Sequence, residues 1–128
     1  MTVPAGFSAS FMSDAKWRKV FRVLVRHSAH VHAAKWKLIG DASPCFGHLP
    51  QQDDIWETAV DNCLNGPVAY AAIEWIELPF EVLTRRYDAA APSITTQDVL
   101  AVHRELRETG EFPLEETGEG VRIYGYRR

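Results

Sequence analysis

From Asp14 onward the apolar positions fall into short periodic runs, and the first is the clearest. Trp17, Val20, Phe21, Leu24 and Val25 sit at i, i+3, i+4, i+7 and i+8, the single stripe of an amphipathic helix. Ser13 or Asp14 caps it. The opposite side gathers Lys16, Arg18, Lys19, Arg22 and Arg26, which reads as a solvated cationic face or a partner-binding one. Ala34 to Ile39 then alternates polar and apolar residues up to the turn signal Gly40-Asp41, which predicts a strand. Residues 41–53, with Pro44, Gly47 and Pro50, read as a loop pinned to the core by Phe46 and Leu49.

The next periodic run predicts a second helix opening at Asp53 or Asp54. Ile55, Trp56, Ala59, Val60, Cys63 and Leu64 would line one face, and Asn65-Gly66-Pro67 would end it. Its outer face would carry Asp54, Glu57 and Asp61. Val68 to Leu78 suits helix or strand, and a strand over roughly 72–78 is favoured by Ile73, Trp75 and Ile76 between two prolines. Residues 80–87 read as a further short strand or an irregular crossing, and 89–93 as a connector. A third helix is expected with Thr95 as N-cap, Asp98 at N3, an Ile94–Val99 staple, an inner stripe of Val99, Val102, His103 and Leu106, and Gly110 beyond its end. Phe112-Pro113-Leu114 and Val121 to Tyr124 flank a Gly-rich turn as a terminal hairpin. The expectation is therefore an α+β fold, one small antiparallel or mixed sheet with about three helices packed mainly on one face. Residues 1–12 would be a mobile leader and 13–128 one domain.

At 128 residues, 46% hydrophobic and 24% charged, the composition suits one globular core. Charge changes the picture, because it is sorted along the chain. Seven bases face Asp14 alone up to Lys37, whereas eight acids and no lysine or arginine occupy Leu38 to Thr84. The remainder is nearly balanced, for a net charge of −3. Segregated charge steers encounters with charged partners without defining chemistry. Met1 to Phe11 shows no secretory signal and no apolar run of spanning length. With Cys45 and Cys63 read as free thiols, this places the protein in the cytoplasm.

Lys16-Trp17-Arg18, Ile73-Glu74-Trp75-Ile76-Glu77 and Arg122-Ile123-Tyr124-Gly125-Tyr126-Arg127 resemble the landmarks of a family of small uncharacterised bacterial proteins. A weaker similarity is to immunity or accessory proteins encoded near secreted toxins. The resemblance implies a compact α+β unit, assigns no activity, and carries over no functional residue.

Candidate chemistry is sparse. His27, His30 and His32 lie within six positions and could share a metal with Cys45, His48 or an aspartate, the basis for an alternative reading as a small metal-dependent enzyme. The spacing matches no metalloprotease helix motif, and no cofactor is expected. Glu74 and Glu77, or Asp53 and Asp54, would serve as an acid–base pair only in environments that separate their pKa values. Cys63, on the apolar face of helix two, reads as an inert thiol. No nucleophile elbow, phosphate loop or dinucleotide fingerprint occurs. Glu111, Glu115, Glu116 and Glu119 around the terminal hairpin oppose nucleic-acid binding. The leading expectation is a non-catalytic protein-binding module, monomer or homodimer and not membrane-bound, whose Asp54, Glu57 and Asp61 engage a basic protein partner.

Overall fold

A computed structural model describes residues 4–7, 9–10, 12–61, 66–84, 91 and 93–127. Within the expected leader, β1 (Ala9–Ser10) pairs with the C-terminal end of the chain, and Met12 is buried. Helix α1 (Asp14–Arg26) begins where the stripe predicts, because the Ser13 hydroxyl accepts the Lys16 N–H at 3.2 Å. It buries Trp17, Val20, Phe21, Val23 and Leu24. Strand β2 (Ala33–Leu38) turns Ala34 and Trp36 inward and is followed by β3 (Cys45–His48). Next come β4 (Ala59–Asp61), β5 (Pro67–Ala69), β6 (Ile73–Pro79), β7 (Glu81–Thr84) and β8 (Ser93–Thr96). Helix α2 (Val99–Thr109) precedes β9 (Leu114–Glu116), β10 (Gly120–Tyr124) and β11 (Tyr126–Arg127).

Five strands form an antiparallel sheet in the order β3-β2-β6-β10-β9. Ala34, Trp36, Ile76, Leu78, Val121 and Ile123 project from one face of its three central strands into the cluster that holds the buried stripes of both helices. Phe21 is at the centre, its ring 5.6 Å from Trp36, 5.8 Å from Trp17 and 6.0 Å from Tyr70. Burying a ring of that size stabilises a fold by roughly 1.5–3 kcal/mol. Three two-stranded ribbons, β1–β11, β4–β5 and β7–β8, surround the sheet. Gly125 carries the chain from β10 to β11 against β6, where a Cβ would lie 2.2 Å from the Ile73 carbonyl oxygen.

This overturns the expected fold class. Among the described residues there are two α-helices rather than three, and the molecule is mainly sheet, with a five-stranded sheet and small ribbons in place of one small sheet. The second helix is the clearest correction. Its opening is a single 3-10 turn, Gln52–Asp54, after which Ile55 bridges Val60 and β4 pairs with β5, which Gly66 (φ +88°) immediately precedes. An isolated helix of this length is marginal, and Ile55, Thr58 and Val60 are β-branched. Tyr70 settles the competition by donating its N–H to the Thr58 carbonyl and its hydroxyl to that of Trp56. The proposed helical positions Cys63 and Leu64 lie outside the described residues.

The loop expected over 41–53 contains β3, paired with β2 from Ala33↔His48 to Trp36↔Cys45. The third helix forms, but Asp98 caps it, its side chain accepting the Ala101 N–H. Thr95 and Ile94 instead belong to β8, opposite Val82 and Leu83 of β7.

Candidate functional site

The sheet face turned away from the helices carries one charged row in register. Phe46, Lys35, Glu77, Arg122 and Glu115 stand side by side across the five strands. The Glu77 side chain is 3% exposed and meets Lys35 Nζ at 3.6 Å, Arg122 Nη2 at 3.2 Å and the donating Thr117 hydroxyl at 3.2 Å. Arg122 stacks on Trp75 at 3.9 Å. Beside it, buried Lys37 pairs with Glu74 at 3.2 Å. Glu74 and Glu77, two of the acids in the base-free stretch, are thus matched by cations from both ends of the chain. With Glu77 held between Lys35 and Arg122, this row is a cross-strand brace.

The acids expected on one helix face are divided by the β structure. Asp54 closes the 3-10 turn, its carboxylate accepting the Gln51 N–H at 2.9 Å. Glu57 is on the following loop, 86% exposed at its side chain and 3.7 Å from Arg18, whose guanidinium also donates to the Glu57 carbonyl. Asp61 is half-buried at the far end of β4, opposite Pro67. Between Asp54 and Glu57 stands Trp56, which sequence periodicity assigned to the core and which is 46% exposed. Its indole N–H donates to the Asp53 carbonyl at 3.2 Å, its own N–H to the Ala59 carbonyl, and its carbonyl accepts the Tyr70 hydroxyl at 2.8 Å. Burial pushes the Tyr70 phenol up to about 12, with Arg18 pulling the other way. An exposed indole fixed through its own N–H and through two bonds of its backbone, with Asp53, Asp54 and Glu57 as its neighbours in sequence, forms a preorganised aromatic anchor.

The histidines separate. His27 is drawn into the helix–helix contact, its Nε2 3.1 Å from Glu105. The Arg26 guanidinium, donating to the same carboxylate, holds Glu105 below the usual carboxylate value, and His27 adds to the effect. His30 and His32 line a groove of about 390 Å³ with Thr95 and Thr96. His48 lies with His32 in a second groove of about 430 Å³. Among the described residues no group of three or more His, Cys, Asp or Glu is arranged to hold a metal ion.

Four further exposed apolar residues escaped the sequence reading as surface features: Phe46, Leu83, Ile94 and Leu100 are 54%, 54%, 64% and 52% exposed. Buried Gln97, also missed, gives no periodic signal because it precedes a helix in an irregular link.

Fold and surface together define a small antiparallel-sheet protein whose distinctive exposed features are an aromatic acidic loop and an apolar sheet edge. The chain belongs to DUF6678, a family of unknown function whose sequence model matches residues 3–128. No curated protein and no solved structure matches it. Among the described residues no helix is long and apolar enough to cross a membrane.

Proposed function

We propose that this protein is a non-catalytic protein-binding module that presents the Trp56 loop to a basic partner in the cytoplasm of a bacterium, as an immunity or accessory protein does. Trp56 is the observation that carries the reading. An indole left half in solvent while its backbone is fixed by Tyr70 and Ala59 loses little entropy on binding, and tryptophan is enriched among residues that dominate interface energies. Asp53, Asp54 and Glu57 supply a carboxylate rim, with Asp61 further along β4. That rim raises the association rate with a cationic surface and rejects acidic ones.

The test is capture from a native-host lysate with wild-type protein, Trp56→Ala and Glu57→Lys, at low and high salt. The expected result is a cationic protein retained by wild type at low salt, released by salt, and lost with either substitution. Retention of the same partners by both variants, or of none by wild type at low salt, overturns the reading.

A further inference from the structure

We infer that the free edge of β3 is a self-complementary docking strand through which two copies of this chain join their five-stranded sheets. The inference is independent of the Trp56 loop and rests on four observations.

First, the edge has outward-facing hydrogen-bonding groups. Leu49 N–H donates to the His32 carbonyl at 3.0 Å, the bond that flanks Ala33↔His48 in the β2–β3 ladder, while the His32 N–H goes to the Gln97 side chain. Hydrogen-bonded and non-bonded pairs alternate in an antiparallel ladder, so Ala33↔His48 and Lys35↔Phe46 are non-bonded pairs. The side chain of Gln97 confirms the phase, because it takes both the N–H and the carbonyl of Ala33 from the side away from β3. Phe46 and His48 therefore turn N–H and C=O away from the sheet.

Second, the segment is bracketed symmetrically. Pro44 and Pro50 each lie three positions from Gly47, and neither has an N–H to donate. In an antiparallel pairing with a two-fold axis at Gly47, Phe46 faces His48 of the partner subunit and each proline faces the other. The two Phe46/His48 pairs have every N–H they need and give about four inter-chain hydrogen bonds, and the prolines, next in phase and without an N–H, end the ladder. Glycine on the axis suits the closest contact, where backbones in a non-bonded pair approach to about 4.5 Å between Cα atoms.

Third, the segment from Pro44 to Pro50 contains no Asp, Glu, Lys or Arg, so two copies meet without like-charge repulsion. Of the devices that keep edges apart, charge is absent here, while the short strand and its flanking prolines confine pairing to Phe46–His48.

Fourth, Phe46 on this strand is 54% exposed and, with Gly47 and His48, lines a groove of about 430 Å³. The incoming strand would cover part of that ring, and the two-fold repeats that cover on the other copy.

So short a strand makes a small interface and a weak, concentration-dependent dimer. Sedimentation equilibrium of the full chain from about 10 μM to about 1 mM should show the mean mass rising from 14.5 kDa toward twice that value. Phe46→Pro removes an outward-facing N–H and the exposed ring with its contact to Lys35 Nζ at 5.6 Å, a change that edge strands tolerate. It should restore the monomer mass with an unchanged circular dichroism spectrum. Amide exchange of wild-type protein supplies a readout that needs no variant: the Phe46 and His48 amides should slow as concentration rises, while the inward Cys45 and Gly47 amides should not. A mass fixed at that of the monomer, association that survives Phe46→Pro, or exchange at Phe46 and His48 that ignores concentration overturns the proposal.

Discussion

Gln97 and Ala33 are joined by two hydrogen bonds running in opposite directions. The Gln97 side-chain oxygen accepts the Ala33 N–H at 3.1 Å, and its amide nitrogen donates to the Ala33 carbonyl at 3.1 Å. The same side chain accepts the His32 N–H at 3.0 Å and donates to the Pro79 carbonyl at 2.9 Å. A primary amide has the donor and acceptor geometry of a peptide group, so Gln97 stands in for one more rung between β2 and β6 past the pair Lys35↔Glu77. Gln97→Leu keeps the volume and leaves these backbone groups without their partner, two of them on one residue. The expected cost is about 2–4 kcal/mol in urea unfolding. A change below about 0.5 kcal/mol would show that water replaces the clamp freely.

Glu77 poses the same question for charge. Its carboxylate is almost completely buried and faces two cations that are each about a quarter exposed, Lys35 at 26% and Arg122 at 28%. Removing one member of a fully buried pair costs roughly 3–5 kcal/mol, and partial solvation of the cations reduces that here. Glu77→Gln should destabilise by about 1–3 kcal/mol. In a double-mutant cycle, Glu77→Gln with Arg122→Gln should show coupling of at least about 0.5 kcal/mol, whereas additivity would mean that the brace stores no interaction energy.

What the sequence disclosed and what it concealed follow one physical line. Helix α1 was legible because its stripe is long and Ser13 caps it, and strands near β2 and β6 were legible from alternation and bounding turns. The error at 54–61 arose because Ile55, Trp56, Ala59 and Val60 satisfy helical spacing while the decisive partners, Tyr70 and the β5 strand, are remote in sequence. At α2, Thr95 looked like a cap because Asp98 follows it by three, yet β8 claims Thr95 through pairing with Val82, and Asp98 caps instead. Charge sorting was plain along the chain, but register decides which charges meet. Neither Lys35↔Glu77 nor Glu77↔Arg122 can be inferred before strand order is known. Of the expected partner-binding residues, Asp54 and Glu57 share a loop because they are close in sequence, and Asp61 is separated from them by the unforeseen β4.

Tyr70 links the Trp56 loop to the core and carries a pH signature. Burial raises its phenol from the usual 10.0 to about 12, with Arg18 opposing. An acid whose folded pKa is raised holds its proton longer when folded, so its contribution is complete below about pH 10 and is lost as pH climbs toward 12. Ultraviolet titration should show late tyrosine ionisation that diminishes in Tyr70→Phe. Burial also raises Tyr126, so Tyr126→Phe serves as the control. Because the Tyr70 hydroxyl holds the Trp56 carbonyl, Tyr70→Phe should cost about 1 kcal/mol and make Trp56 fluorescence easier to quench with acrylamide. Unchanged quenching would separate the loop from this anchor.

Glu105 on α2 gives the opposite pH dependence. Its carboxylate accepts from Arg26 Nε at 3.0 Å and lies 3.1 Å from His27 Nε2, tying α2 to the last turn of α1. The Arg26 hydrogen bonds are the largest cause of its lowered pKa, burial opposes them, and His27 assists. A carboxylate with a depressed folded pKa stabilises the fold above its unfolded value and loses that contribution as pH falls through the folded one. Wild type should therefore exceed Glu105→Gln in melting temperature at neutral pH, and the difference should shrink as pH drops below the ordinary value of 4.5. Since the Arg26 side chain is 57% exposed, the difference should be modest and should narrow with added salt. His27→Ala should retain most of it, because Arg26 makes the larger contribution. A gap between wild type and Glu105→Gln that persists unchanged to pH 2 would mean that packing rather than charge joins the two helices.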